Sequence, residues 1–107
     1  GKVKEDAICV IKFYSNDCHL CQNLHDYYIS ISQEEEYSDV LFFAFNIDDN
    51  QKIEKKLKFN GVPTISMIKT FSGETKPRIR VLPDPMEPQP ETWYTVKYIK
   101  DFIEREK

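Results

Sequence analysis

This sequence predicts an α/β fold: one mixed four-stranded sheet with helices on both faces, its elements in the order β-α-β-α-β-β-α. Three observations carry that expectation. Two nearly continuous apolar stretches, Ala7 to Tyr14 and Val40 to Ile47, flank a segment of helical periodicity, as in a parallel βαβ unit with a right-handed crossover. Two further strand-like stretches are separated by Ser72-Gly73-Glu74-Thr75, a hairpin turn signal. The chain then closes on an amphipathic stretch of helical spacing.

In order, Ala7 to Tyr14 (Ala-Ile-Cys-Val-Ile-Lys-Phe-Tyr) is rich in β-branched and aromatic residues, which suits a central strand covered on both faces. Cys9 within it is expected to behave as a small buried hydrophobe. Lys12 breaks the pattern. A lysine in a buried strand must find a partner, shift its pKa or snorkel outward, and here it is expected to point toward an edge or solvent.

The next helix is expected from Cys18 to about Gln33, with Leu20, Leu24, Tyr27, Tyr28 and Ile31 forming the stripe that faces the core. Glu34-Glu35-Glu36 reads as its solvated end, frayed because an acidic run suits a helix C-terminus poorly. Val40 to Ile47 is a second buried strand. Asp48-Asp49-Asn50 supplies N-cap candidates for a short helix, Gln51 to Phe59, whose Ile53 and Leu57 face inward. Asn60-Gly61 tolerates the left-handed backbone that ends it.

Strands are then expected over Thr64 to Thr70 and Pro77 to Leu82, the second at a sheet edge because proline opens it. Residues 83–91 hold four of the six prolines and read as an extended proline-rich insertion. Thr92 to Glu106 is the last helix, with Val96, Ile99, Phe102 and Ile103 inward. Residues 1–107 are read as a single domain carrying that insertion, long enough to bury roughly two-thirds of its unfolded surface.

Composition narrows the function. Charged residues make up 31% of the chain, both signs are scattered, and the net charge is −3. That leaves no basic footprint for nucleic acid and no polybasic patch for a membrane surface. The longest apolar run, Val40 to Phe45, is far too short to span a bilayer. Three cysteines are an odd count, which suits one redox pair and a spare thiol better than a disulfide-stapled scaffold. The chain opens on Gly1 rather than Met, as expected of an excised domain whose targeting information has been removed.

Chemistry is concentrated in Phe13-Tyr14-Ser15-Asn16-Asp17-Cys18-His19-Leu20-Cys21. A strand passes through a short polar turn into a helix that opens on C-x-x-C, the sequence form of a thiol–disulfide redox site. Cys18 falls where unpaired N–H groups and the positive end of the macrodipole favour a thiolate, and Cys21 lies nearly one turn on, on the same face. Cys18 is therefore the expected nucleophile and Cys21 the resolving thiol. His19, as a cation, would stabilise the thiolate and make the disulfide more oxidising, whereas the carboxylate of Asp17 would raise the Cys18 pKa. A rival reading is metal binding by Cys18, Cys21 and His25, but no second Cys/His pair completes a zinc set. Attached haem needs histidine directly after the second cysteine, where Gln22 stands. No metal and no external cofactor are expected.

Strand, helix-opening C-x-x-C and a later Gly61-Val62-Pro63-Thr64 step before a hairpin together resemble the thioredoxin superfamily. Phe13-Tyr14 ahead of the cysteines is similar to the opening of protein-disulfide-isomerase-type domains, and Tyr98 to Ile103 is similar to their last helix. The resemblance covers Ala7 to about Leu82 and the final helix. It implies that Pro63 is cis and faces the cysteines, and that Val62, Pro63 and Thr64 bind substrate, with the Val62 backbone pairing to an extended peptide.

It also marks departures. Only 17 residues precede Cys18, so the family's first strand and helix are expected to be missing. Asp17 stands where the family usually has tryptophan. Lys12 stands where it commonly has a buried acid that assists proton transfer at the second cysteine; a lysine there tunes the pair differently, accepting that proton only if buried and neutral and, as a cation, stabilising a nearby thiolate. What the resemblance implies is a disulfide oxidoreductase or isomerase acting on protein cysteines and disulfides, here as a monomer. Its expected setting is the endoplasmic reticulum lumen or another secretory compartment, with the cytoplasm as the alternative. The alternative function is a redox-weak module that binds client or partner proteins through the groove near Pro63, with Met86 and Trp93 overhanging it.

Overall fold

The computed structural model describes residues 6–50, 52–59 and 61–106. Strands β1 (Ala7–Tyr14), β2 (Val40–Asn46), β3 (Thr64–Thr70) and β4 (Arg78–Val81) form one sheet in the order β2-β1-β3-β4. Helices α1 (His19–Ser32), α2 (Ile53–Leu57) and α3 (Val96–Glu106) complete the predicted α/β order. β1 runs parallel to β2, from Ile8 opposite Val40 to Tyr14 opposite Asn46, and antiparallel to β3, from Ala7 opposite Thr70 to Phe13 opposite Thr64. β4 is the antiparallel edge strand that Pro77 announced.

Alternation along the strands sends side chains to two cores. On one face, Val10, Ile65 and Met67 meet Leu24, Tyr28 and Ile31 of α1 and Ile99, Phe102 and Ile103 of α3. On the other, Phe13 packs with Ile47 and Phe59, against Ile53 and Leu57 of α2. The Tyr28 hydroxyl lies 3.0 Å from the Val10 carbonyl and 2.6 Å from that of Phe43, tying α1 to both parallel strands.

Several local expectations are corrected. The buried stripe of α1 is Cys21, Leu24, Tyr28 and Ile31, and Tyr27 lies outside it at 51% exposure, because Tyr28 already holds the core-facing position of that turn. β2 is not a buried strand. Among the described residues it pairs only with β1, and Leu41 and Phe43 stand 52% and 50% exposed on the α2 side of the sheet. Glu34 is not a frayed end: its backbone carbonyl accepts from the Tyr37 amide to open the next turn, and its side chain makes an ion pair with Lys100 of α3.

The left-handed residue that closes α2 is Lys58 (φ 61°), with Gly61 left-handed three residues later; Gln51 and Asn60 lie outside the described residues. α3 starts at Val96, four residues later than expected, because the Thr95 hydroxyl accepts the Tyr98 amide as an N-cap. Just before it, Gln89 and Trp93 exchange two backbone hydrogen bonds of 3.0 Å, a one-rung bridge that reverses the proline-rich segment.

Candidate redox site

β1 delivers the chain to the cysteines. After Tyr14 the turn closes with the Cys18 amide donating to the Ser15 carbonyl at 3.4 Å. The turn is fixed to the end of β2: the Asn16 amide donates to Asp48 Oδ2 at 2.8 Å, and Asn46 Nδ2 donates to Asn16 Oδ1 at 2.7 Å. Cys18, in extended conformation, is the N-cap of α1. A cap residue normally offers an oxygen to the free amides of the first turn. Here a sulfur does so, with the Cys21 N–H donating to Cys18 Sγ at 3.0 Å.

Cys18 and Cys21 are joined as a disulfide with their Cα atoms 5.2 Å apart. Cys18 is half-buried and Cys21 is 2% exposed, so an incoming sulfur reaches Cys18 first. No acidic residue occupies the first turn of α1, leaving the dipole end unopposed from within the helix. Asp17 and His19, on either side of Cys18, are both exposed.

The Val62–Pro63 peptide is cis. Since Thr64 pairs with Phe13 at the end of β1, this step leaves the sheet at the same end as the cysteine turn. Pro63 and Thr64 are buried and Val62 is half-buried. Thr64 Oγ1 donates to the Gly61 carbonyl at 2.8 Å, and the Tyr94 hydroxyl donates to the Pro63 carbonyl at 3.3 Å. The proline-rich segment is also held on the helix side, where Asn23 Nδ2 donates to the Glu91 carbonyl at 2.8 Å. It therefore spans from the Pro63 step to the first turns of α1. Within and after it, Met86 is fully exposed and Trp93 packs against the core.

Lys12 is the main correction. It neither snorkels nor reaches an edge: it is 2% exposed, on the α1 side of the sheet. Its Nζ lies 2.9 Å from His25 Nδ1, with the rings of Tyr28 and Tyr14 at 5.3 and 5.8 Å. Burial lowers its proton affinity and the charge of Asp26 partly restores it. Lys12, Tyr14, Cys21, Gln22, His25 and Ala44 line one cavity of about 330 Å³. Cys9 is only half-buried rather than a core residue, since odd positions of β1 face the thinner α2 side, and burial pushes its thiol up and away from reactivity.

Two residues of the site were not legible as such. In the sequence His25 stands out only as a metal ligand, although its spacing of four from Cys21 puts both on one helix face. Tyr94 left no sequence signal. Among the described residues, no three His, Cys, Asp or Glu side chains converge to hold a metal ion, and no helix is long and apolar enough to cross a membrane.

A closed dithiol capping the helix that follows a central parallel strand, with a cis X-Pro step at the same sheet end, defines a thiol–disulfide exchange site. The thioredoxin family model matches residues 2–79. The chain belongs to the thioredoxin family, and its C-x-x-C pair stands closed as a disulfide at this site.

It is 28% identical to thioredoxin of Geodia cydonium over 65 residues, which is 61% of this chain and 59% of that one. It is also 28% identical to human thioredoxin over 80 residues, 69% of this chain and 74% of that one. The chain thus spans under two-thirds of the first relative's length. The fold superposes on the solved thioredoxin of Trichomonas vaginalis with TM-score 0.63 at 23% identity, over 94% of this chain and 79% of that one. On Fasciola hepatica thioredoxin it superposes with TM-score 0.65 at 17% identity, over 96% and 84% of the two chains.

Proposed function

We propose that this protein exchanges disulfides with protein substrates, Cys18 acting as nucleophile and Cys21 as resolving thiol. The carrying observation is the Cys21 N–H held on Cys18 Sγ at 3.0 Å, because the same bond solvates the anion when the pair is reduced. In the reductive direction, the Cys18 thiolate attacks a substrate disulfide and one substrate sulfur leaves as a thiolate. Cys21 then attacks Cys18 Sγ, the second substrate sulfur leaves, and the pair closes as the disulfide seen here.

Val62, Pro63 and Thr64 form the groove wall for the substrate chain, with the half-buried Val62 the accessible member of the three. His19 and Asp17 tune the Cys18 thiolate in opposite senses. Isomerase-type rearrangement, beyond simple exchange, is supported by the Phe13-Tyr14 opening and by a histidine between the cysteines. It suits an oxidising setting such as the endoplasmic reticulum lumen. We read residues 1–107 as one domain with the proline-rich insertion 83–91, working as a monomer.

The test is reduction and reoxidation of a protein disulfide by the wild-type chain and by Cys18→Ala, with the redox equilibrium of the pair measured against glutathione. Exchange that disappears in Cys18→Ala supports the enzyme. A wild-type chain inert toward glutathione that still holds unfolded protein supports the binding module instead.

A further inference from the structure

Among the described residues Lys12 is the only buried lysine, and it faces open space rather than packed side chains. The cavity it lines, of about 330 Å³, is of the size that holds a small ligand. Gln22, His25 and Ala44 of its lining are exposed, so the cavity opens to solvent, while Lys12 and Cys21 form its enclosed side. No carboxylate pairs with the amine at hydrogen-bond distance. Its Nζ lies 2.9 Å from His25 Nδ1, with the rings of Tyr28 and Tyr14 at 5.3 and 5.8 Å.

We propose that this cavity binds small apolar carbonyl compounds and that Lys12 holds them as a protonated imine, with His25 as the acid–base partner. The inference is independent of the exchange reading, because the Cys18–Cys21 disulfide stays closed throughout. The neutral amine donates one N–H to His25 Nδ1, which leaves its lone pair free to attack the carbonyl carbon. A C–N bond forms and the carbonyl π electrons move to oxygen. His25 takes a proton from the nitrogen and the oxygen takes one from solvent, giving a carbinolamine. His25 then returns its proton to the hydroxyl, the C–O bond breaks, and water leaves with that electron pair. The nitrogen lone pair closes the C=N bond. Amine, carbonyl and one solvent proton thus become iminium and water, with nothing oxidised or reduced.

The surroundings of Lys12 select this ligand class. From α1 it meets His25, the charge of Asp26 and the Tyr28 ring; from β1 itself, the Tyr14 ring. Its neighbours on β2 and β3, Ala44 and Ile65, are uncharged. Burial favours the neutral amine, which attacks a carbonyl but does not hold an anion. Once formed, the iminium is a cation that the two rings and Asp26 stabilise. Exposed lysines lack this advantage, since only roughly one in a few thousand of them is neutral at pH 7.

The test incubates the chain, disulfide closed, at pH 7 with benzaldehyde and sodium cyanoborohydride, which reduces an iminium to a stable benzylamine and spares the disulfide. Peptide mapping by mass spectrometry then locates the benzyl group. Lys12 is expected to be labelled about a hundredfold faster than any exposed lysine. Excess benzyl alcohol, which fits the same space but cannot condense, is expected to slow labelling of Lys12 alone, and benzoate to leave it unchanged. His25→Ala and His25→Gln are both expected to slow it about a hundredfold, since glutamine accepts the hydrogen bond but carries no proton.

Lys12 labelled no faster than the exposed lysines overturns the proposal. Indifference to benzyl alcohol also overturns it, leaving a reactive amine without a ligand site, and protection by benzoate does so by making the cavity an anion site. Labelling of His25→Gln at the wild-type rate removes His25 from the proton transfers.

Discussion

The Tyr94 hydroxyl donates to the carbonyl of Pro63 at 3.3 Å, from a ring that is 1% exposed. A residue leading into the last helix thereby holds the proline step beside the cysteines. Tyr94→Phe keeps the ring in the core and deletes only this donor. It is expected to cost about 0.5–1.5 kcal/mol in urea unfolding. Tyr94→Ala, which also leaves a cavity, is expected to cost about 3–5 kcal/mol.

The two cysteines are expected to fail differently. Cys18→Ser removes the accessible sulfur, and turnover on a protein disulfide is lost with no trapped adduct. Cys21→Ser keeps the nucleophile but cannot resolve, so the chain accumulates as a covalent adduct with its substrate. Non-reducing mass analysis after incubation with an oxidised protein distinguishes the two. Adducts on Cys21 in the Cys18→Ser variant would reverse the assigned roles.

Lys12 also predicts a pH dependence of stability. Burial holds its folded pKa below the ordinary 10.5. Between that lowered value and 10.5 the unfolded chain binds more protons than the folded one, so this group makes stability rise with pH through that window. Below the window its desolvation cost is present in full. Lys12→Met is expected to lack this alkaline rise and to be about 1 kcal/mol more stable at pH 7. Urea midpoints of the two proteins, compared from pH 7 to 10.5, measure the difference.

Leu41 and Phe43, both about half exposed, stand on the α2 face of β2, an uncharged strand that is paired on one side only among the described residues. Flat apolar edges of this kind template association. Phe43→Lys is expected to change folding stability by less than about 0.5 kcal/mol while raising the concentration at which light scattering sets in. Unchanged scattering would remove β2 as a contact surface.

The order of elements along the chain, the parallel unit, the hairpin and the cysteine-capped helix were legible in the sequence because each rests on local chemistry. Period-two and period-3.6 patterns, Ser72-Gly73 and C-x-x-C all act within a few residues. Positions decided by distant neighbours were not. Val40 to Asn46 is as apolar as β1, and nothing local says that only one of these strands is flanked on both sides. Glu34 and Lys100 are 66 residues apart, so their ion pair left no trace in either segment. Lys12 looked like an outward-facing exception because its partner, His25, sits on another element. Alternation already placed Lys12 on the face of Val10, toward α1, and His25 shares a helix face with Cys21; joining those two facts would have found the pair.

From Ile8 to Phe13, β1 is paired on both sides, the longest such run in the described sheet, and this strand also bears Lys12 and leads directly to Cys18. Amides so enclosed exchange with deuterium only when much of the molecule opens. The reactive sulfurs are thus moored to ground that gives way last, and thermal fraying of the hairpin or of the proline-rich segment should leave their spacing undisturbed.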